Sequence, residues 1–232
     1  MQVSCPLPTR LKILANQLDS GKILADIGTD HAYLPIYAVQ NKIVERAIAC
    51  DIHRPPLQSA LINIEKFHVT DQVECRMGNG LAVLTDAEID VISMAGLGGI
   101  TIRTILKEEY EKAKKANSIL IQPNNHEADV RLWLAEMGFK TLDEGVLKDR
   151  KHFYQWMKVK WDGKIRGIDS FTAHYGTFEM SFFDSVQLEW LTKERNRLQK
   201  ALQGREKAKI QLPKQSEDDE KTIAKIEGLL KK

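Results

Sequence analysis

The sequence predicts an α/β fold with a mostly parallel sheet of seven strands, followed by a C-terminal α-helical hairpin. Short apolar runs alternate with helix-like segments of about 10–15 residues, which is typical of βαβ units. The runs are almost continuously apolar, as expected for parallel strands that are buried on both faces. The last two strand-like runs have no helix between them, which indicates an antiparallel pair at the end of the sheet.

The predicted elements follow one another in a regular order. Four leucines at helical spacing predict a first amphipathic helix: Leu7, Leu11, Leu14 and Leu18. The predicted strands are 22–27, 45–52, 71–78, 88–96, 117–123, 139–149 and 151–161. The predicted helices between them are 31–40, 55–67, 100–116 and 127–138. Pro35 and Pro55 lie in the first turns of their helices, where proline is accepted.

We expect two domains, 1–161 and 162–232, because the strand-like patterning ends at their boundary. Apolar residues at helical spacing in 185–203 and 223–230 predict two helices packed as an antiparallel hairpin. Residues 193–214 hold eight basic and two acidic side chains, whereas the first domain holds 20 of each sign. This local excess of positive charge favours either a nucleic-acid surface or a solvated helix face.

Composition excludes several classes of protein. No apolar run approaches the ~20 residues of a membrane span, and the N-terminal sequence lacks the pattern of a signal peptide. The cysteines Cys5, Cys50 and Cys75 are odd in number and lack metal-ligand spacing. We therefore expect a cytoplasmic protein in a reducing compartment, with no membrane association, no disulfide framework and no bound metal.

The first predicted strand-to-helix turn, IGTDHAY, is the most informative stretch of the chain. Gly28 permits a positive φ and close approach of a ligand to the backbone. Two of the three glycines of G-x-G-x-x-G are missing, and Asp30 would repel a pyrophosphate, which argues against a dinucleotide. The carboxylates of Asp26 and Asp30 suit a cationic ligand instead, and S-adenosylmethionine carries both a sulfonium and an ammonium group.

The loops after the next strands line the same edge of the sheet. Asp51 can accept hydrogen bonds from the hydroxyl groups of a ribose, and this holds for a nicotinamide site as well as for an S-adenosylmethionine site. Asn79 either contacts the edge of an adenine or forms an ordinary Asn-Gly turn. The glycine-rich loop 93–99 lacks the Asn/Asp-Pro-Pro-Tyr/Phe motif of amino-group DNA methyltransferases, and 122–126 adds amides that can read a base edge. The basic turn 148–152 reaches this edge if the sixth strand is parallel.

Together these motifs resemble the bacterial tRNA (adenine-22, N1) methyltransferases (TrmK). The resemblance covers essentially the whole chain and rests on LADIGTDHAYLP, ACDI, MGNGL, MAGLGG and ILIQPNN, in this order. It implies a Rossmann-like class I methyltransferase domain with S-adenosylmethionine as the cofactor and tRNA as the substrate. It also implies a coiled-coil-like C-terminal hairpin that contacts the tRNA.

The resemblance and the charge pattern assign roles to three groups of residues. Residues expected along the methyl donor are Asp26, Gly28, Asp30, His31, Asp51, Ile52, Asn79 and Gly80. Residues expected to face the target base lie in Met94–Gly99 and Gln122–Asn124, and the candidates among them are Met94, Gly96, Gly98 and Asn124. Tyr33 either stacks on the base or is a core tyrosine. Residues expected to hold the tRNA backbone are Lys148, Arg150, Lys151, Arg195, Arg197 and Lys200.

The expected chemistry agrees with a cleft in which the sequence offers no nucleophile–base pair. Adenine N1 carries a lone pair and no proton, so methyl transfer needs alignment rather than a general base. The adenine must be unpaired or flipped out, because N1 lies on its Watson–Crick edge. Two alternatives stay open: a methyltransferase for a protein or small molecule, whose hairpin serves dimerisation, and a non-catalytic Rossmann ligand sensor. The sequence also leaves the oligomeric state open.

Overall fold

The computed structural model describes residues 4–177, 184–208 and 212–231. The chain divides into two compact units, Met1–Thr177 and Phe178–Lys232. This structural boundary lies later than the expected one at 161, because the connector after the last strand packs on the first unit. In that connector Arg166 N–H donates to the carbonyl of Ala135, at 2.9 Å.

The first unit is built on a seven-stranded sheet. Its strands are β1 Gly21–Ile27, β2 Val44–Asp51, β3 Val73–Met77, β4 Val91–Leu97, β5 Ser118–Pro123, β6 Phe139–Asp149 and β7 His152–Trp161. Their order across the sheet is β3-β2-β1-β4-β5-β7-β6. Strands β1 to β5 pair in parallel, and β7 is antiparallel to both of its neighbours. The predicted mostly parallel, Rossmann-like sheet is therefore confirmed.

Helices cover both faces of this sheet. They are α1 Thr9–Ala15, α2 Tyr33–Gln40, α3 Arg54–Lys66, α4 Gly99–Glu108, α5 Tyr110–Ala113, α6 Glu127–Glu136 and α7 Ser170–Tyr175. Neighbouring strand residues point to opposite faces, so in β1 Ile27 joins a core with Ile102 of α4, whereas Leu24 joins a core with Leu34 of α2. The first helix packs through Ala15 on this second core and through Leu14 on a smaller cluster with the last strands.

One predicted helix is wrong in its extent. The helix expected over 100–116 ends at Glu108, and a separate short helix begins at Tyr110. The break allows the hydroxyl of Tyr110 to donate to the carbonyl of Met137 at 2.6 Å, and its ring meets Phe139 edge-on. Tertiary contacts of one aromatic residue thus override the helical pattern of the local sequence.

The second unit contains two packed helices, α8 Ser185–Lys207 and α9 Pro213–Leu230. A capping box opens α8, because Asp184 accepts from the backbone of Gln187 at 2.8 Å and the Gln187 side chain accepts in return. Arg205 pairs with Asp219. Gln199, earlier in α8, donates to Glu227, later in α9, at 3.4 Å. The helices are therefore antiparallel, as the sequence predicts.

Candidate active site

The functional edge of the sheet is the one where the parallel strands end. β1 lies between β2 and β4, so the chain order reverses beside it, and such a switch point is where α/β sheets form ligand crevices. Asp26 of β1 is level with Ala49 of β2 and with Ser93 of β4. The loops after these strands consequently open side by side.

Gly28 forms the tight turn that the sequence predicts. Its φ is +78°, and a Cβ at this position would lie 2.6 Å from Cδ2 of Leu97. Its N–H and that of Thr29 both donate to the carbonyl of Cys50, at 2.9 Å each. A residue with a side chain would be strained in this backbone and would intrude on the crevice. The glycine therefore keeps the centre of the crevice open.

Asp26 is a carboxylate held in a buried position. It is only 7% exposed, and its Oδ1 accepts a 2.6 Å hydrogen bond from the hydroxyl of Ser93. Burial raises the pKa of the Asp26 carboxyl, while the Ser93 hydroxyl and the positive charge of Arg10 act in the opposite direction. A buried carboxylate without a full ion pair is prepared for a cationic ligand.

On one side of Gly28 the crevice is mainly apolar. Asp51, Asn79 and Gly80 line it together, and the remaining lining residues include Ile27, Ile52, Leu97, Thr101 and Ile105. Asp51 stands at the end of β2, and its Oδ1 accepts from the backbone N–H of His53 at 2.8 Å. The Asn79 amide donates to Glu108 at 3.1 Å. Two polar groups, Asp51 and Asn79, among apolar walls suit a ribose joined to a planar base.

On the other side of Gly28 the crevice is more polar and carries two acidic side chains, and we call this side the polar compartment. Its lining includes Asp26, Gly28, Asp30, His31 and Tyr33, joined by Pro8, Arg10, Leu11 and Ala95. The side chain of Asp30 is 78% exposed and lies 3.4 Å from Nε2 of His31, whose ring is 5.3 Å from that of Tyr33. The structure thus brings together the expected donor residues, in two adjoining compartments that share Gly28.

The residues expected to face a target base are only partly placed to do so. Met94 is fully buried in the core beneath the sheet edge, so the expectation for its side chain is wrong. Gln122 is also fully buried, and it bonds to Arg10 and to the carbonyl of Pro123. Gly96, Gly98 and Asn124 lie at or beyond the ends of β4 and β5, where backbone is accessible.

The basic turn between β6 and β7 lies at this edge of the sheet. Because β7 is antiparallel to both β5 and β6, β6 runs in the direction of the parallel strands. Its carboxyl end therefore delivers Lys148, Arg150 and Lys151 to the same edge. Arg150 has a φ of +54°, and it is exposed together with Lys151. The condition that the sequence left open, a parallel sixth strand, is met.

The three residues of the second unit that are expected to hold tRNA lie on α8. Arg195 donates to the side chain of Asn196 at 3.0 Å, Arg197 pairs with Glu194 at 2.9 Å, and Lys200 is exposed. Of the basic side chains counted in the sequence, Lys209 lies outside the described residues. This helix face combines accessible positive charge with some internal pairing.

Arg10 contributes to the site without any signal in the sequence, and the sequence predicts Ser93 there only as the first residue of the loop 93–99. Arg10 lies in the first helix, before the first motif, and the hydrogen bond from Ser93 to Asp26 depends on the pairing of β1 with β4. Their parts depend on which elements become neighbours in space. Among the described residues, no group of acidic, histidine or cysteine side chains has the arrangement of a metal site, and no helix could span a membrane.

Known proteins share both the sequence and this architecture. A family model described as a methyltransferase domain matches residues 7–157. The tRNA (adenine(22)-N(1))-methyltransferase of Bacillus subtilis (strain 168) is 33% identical over 190 residues, which cover 82% of this chain and 76% of that protein.

Solved structures give the same result. The B. subtilis m1A22 tRNA methyltransferase TrmK superposes with a TM-score of 0.79 at 31% identity and 98% coverage of both chains. M. capricolum TrmK, solved with S-adenosylhomocysteine, has a TM-score of 0.79 at 30% identity, with 97% of this chain and 98% of that chain covered. Sequence, fold and crevice agree, and the chain belongs to the bacterial tRNA (adenine-22, N1) methyltransferase family of S-adenosylmethionine-dependent enzymes.

Proposed function

We propose that the protein transfers the methyl group of S-adenosylmethionine to N1 of adenine 22 in tRNA. The observation that carries this proposal is the two-compartment crevice around Gly28, with buried Asp26 in the polar compartment and Asp51 in the apolar one. The B. subtilis relative is a tRNA (adenine(22)-N(1))-methyltransferase and M. capricolum TrmK was solved with S-adenosylhomocysteine, which supports the same assignment.

The residues present fit this methyl donor. Gly28 lines both compartments, and a Cβ at this position would press on Leu97 of the apolar compartment, so the glycine leaves room for a long flexible ligand that extends through both. The buried carboxylate of Asp26 favours the positive charges of the methionine part, and exposed Asp30 adds to the negative potential there. When bound, the donor supplies an electrophilic methyl group on a sulfonium.

The apolar compartment accounts for the rest of the donor. Asp51 accepts hydrogen bonds from the ribose hydroxyls, since its carboxylate stands at the strand end where such contacts are made. Ile52 and Ile105 enclose the adenine ring, and the backbone around Asn79 and Gly80 meets its polar edge. The side-chain amide of Asn79 is engaged with Glu108, so a direct contact from that amide requires it to turn.

The acceptor reacts without prior removal of a proton. Attack by N1 forms the bond between N1 and the methyl carbon as the bond between that carbon and sulfur breaks. The positive charge moves from sulfur to the purine, and the exposed carboxylate of Asp30 stabilises it in the polar compartment. Alignment of the three atoms supplies about 7–11 kcal/mol in well-oriented reactions, so positioning by the Gly96–Gly99 loop is the main contribution.

The tRNA is held by charge around the crevice. Lys148, Arg150 and Lys151 contact phosphates beside the flipped adenine, and Tyr33 stacks on the base from the polar compartment. Arg195, Arg197 and Lys200 of α8 add further phosphate contacts. In this proposal the first unit, up to Thr177, binds the donor, and the helices α8 and α9 of the second unit contact the tRNA, in a cytoplasmic enzyme.

The test is methyl transfer from labelled S-adenosylmethionine to unmodified bacterial tRNA, followed by nucleoside analysis. We expect label in 1-methyladenine, lost in Asp26→Ala and retained in Asp71→Ala, which removes an exposed carboxylate before β3. Donor binding without label in tRNA would contradict the proposal and favour a protein or small-molecule acceptor, or a ligand sensor. Equal activity of both variants would contradict the assigned role of Asp26.

A further inference from the structure

We propose that Arg10 is a positioning residue that fixes the loop receiving the target base, and thereby sets the rate of methyl transfer rather than donor affinity. This inference rests on the proposed function. Arg10 lines the polar compartment together with Asp26 and Ala95, although it comes from the first helix and not from a strand end. Its hydrogen bond leads to β5, and its guanidinium lies close to Gly96 of β4.

The first helix holds Arg10 firmly at the edge of the sheet. Leu14 of α1 is fully buried against Leu147 and Trp156 of the last two strands. The guanidinium carbon of Arg10 lies 5.9 Å from the ring centroid of Tyr154, within the range of a cation–π contact. The planar charged group is thus placed by the packing of its helix and by an aromatic ring.

From this position a chain of hydrogen bonds runs to the segment Gly96–Gly99, which we call the acceptor loop. Arg10 Nη1 donates to Oε1 of Gln122. Gln122 Nε2 donates to the carbonyl of Pro123 at 2.7 Å and to Oδ1 of Asn124 at 3.3 Å. Asn124 Nδ2 in turn donates to the carbonyl of Gly96 at 2.6 Å. One polar network therefore joins α1, β4, β5 and Asn124, the residue that follows β5.

The loop also fits directly around the guanidinium. Gly96 has a φ of +82°, and a Cβ built on it would lie 3.1 Å from Nη1 of Arg10. The guanidinium occupies the space that a side chain at this position would need. The network therefore closes on itself, because Arg10 meets Gly96 both through Gln122 and Asn124 and by direct proximity.

The chemistry favours positioning over contact with the reacting groups. A guanidinium only donates hydrogen bonds, so it cannot accept from the exocyclic amine of adenine. A fixed positive charge also opposes the cation that develops on the purine. Arg10 instead gives the fully buried Gln122 oxygen a charge-assisted partner, which keeps the amide oriented and the loop in one shape.

The experiment compares Arg10→Ala and Arg10→Lys with Lys12→Ala, which removes an exposed positive charge from the same helix. Because small misplacements of reacting atoms cost ~100-fold in rate, we expect kcat of Arg10→Ala to fall about 100-fold. The Kd for S-adenosylhomocysteine should change far less than kcat, because Arg10 acts on Asp26 only through its charge. Arg10→Lys should recover only part of the rate, since one ammonium cannot replace the planar fork, and Lys12→Ala should match the wild type.

A double-mutant cycle with Asn124→Ala tests whether the network acts as a unit. We expect the double variant to be no slower than Arg10→Ala alone, because either change breaks the same chain of bonds. Losses in kcat that multiply would contradict a shared network. An unchanged kcat in Arg10→Ala, or a loss of donor affinity that parallels the loss of rate, would overturn the proposal.

Amide hydrogen exchange separates this inference from the proposed function. In Arg10→Ala without any tRNA, we expect faster exchange in 96–98 and unchanged exchange in the core of β1. Unaltered exchange in the loop would refute the positioning role whatever the substrate proves to be. Failure of the wild type to methylate tRNA would refute the proposed function, and the exchange result would still decide the role of Arg10.

Discussion

Replacement of Gly28 by alanine should weaken binding of the methyl donor more than it weakens the fold. A left-handed backbone costs a residue with a Cβ about 1–2 kcal/mol. The new Cβ would also lie 2.6 Å from Leu97 Cδ2, about 0.8 Å inside the 3.4 Å at which ordinary contacts begin. The leucine must give way, and because it lines the apolar compartment, it moves into space that the donor needs.

These two effects give separate magnitudes. We expect the backbone strain to lower the Tm by roughly 2–8 °C, since 1 kcal/mol corresponds to about 2–4 °C in a domain of this size. We expect the intrusion to raise the Kd for S-adenosylhomocysteine by about 10- to 100-fold, which corresponds to roughly 1.4–2.8 kcal/mol. Isothermal titration calorimetry and thermal unfolding measure the two effects independently.

A matched control and a double variant without the Leu97 clash make the test more specific. Gly167→Ala adds a methyl group where nothing lies within 4 Å, so it should change neither the Kd nor the Tm. The double variant Gly28→Ala, Leu97→Ala should regain part of the lost affinity, because the clash is removed while the strain remains. If Gly28→Ala binds the donor as tightly as the wild type, the ligand does not lie against Gly28.

Three further predictions concern charge. Asp26→Asn should raise the Tm of the free protein by a few degrees at pH 8 while weakening donor binding. Because burial raises the pKa of the Asp26 carboxyl, the folded protein loses stability as the pH rises through that pKa and the carboxyl ionises. A lower Tm of the variant would contradict this. Glu144→Gln should lower the free energy of unfolding by about 3–5 kcal/mol at pH 7, because it breaks the buried ion pair with Arg131. Burial opposes ionisation of Glu144, but Arg131 holds the pKa of this carboxyl below its usual value. The loss measured by denaturant titration should therefore shrink below pH 4.5. The double variant Arg150→Glu, Lys151→Glu should weaken tRNA binding and lower the slope of log binding constant against log salt concentration by about one per lost phosphate contact. Donor binding, which should not change, is the control. An unchanged slope would show that this turn does not contact the tRNA.

Local patterns predict the parts of the fold that depend on neighbouring residues in sequence. Alternating strands and helices give the parallel sheet, and the rule that ligands bind at strand ends brings Asp26, Asp51 and Asn79 to one crevice. The position of Gly28 is predictable because a strand that turns at once into a helix needs a positive φ. These inferences need only the order of the elements and the physics of the backbone.

The remaining features depend on contacts between distant parts of the chain. Arg10 reaches the acceptor loop only because α1 packs beside the last strands, and no spacing in the sequence records that neighbour. Met94 lies within both the predicted and the observed strand, and its side chain is buried because it faces the core that contains Ile102 of α4. The helix break before Tyr110 likewise follows from a hydrogen bond to a carbonyl 27 residues away.

Methylation mapped to a single nucleotide tests the central claim most directly. The purified protein would be given S-adenosylmethionine and an unmodified tRNA transcript, and the modified position would be read by primer extension, which stops at 1-methyladenine. We predict a stop at adenine 22, and none in a transcript that carries guanine at that position. A stop at another adenine, or methylation that persists in the guanine transcript, would contradict the proposed substrate site.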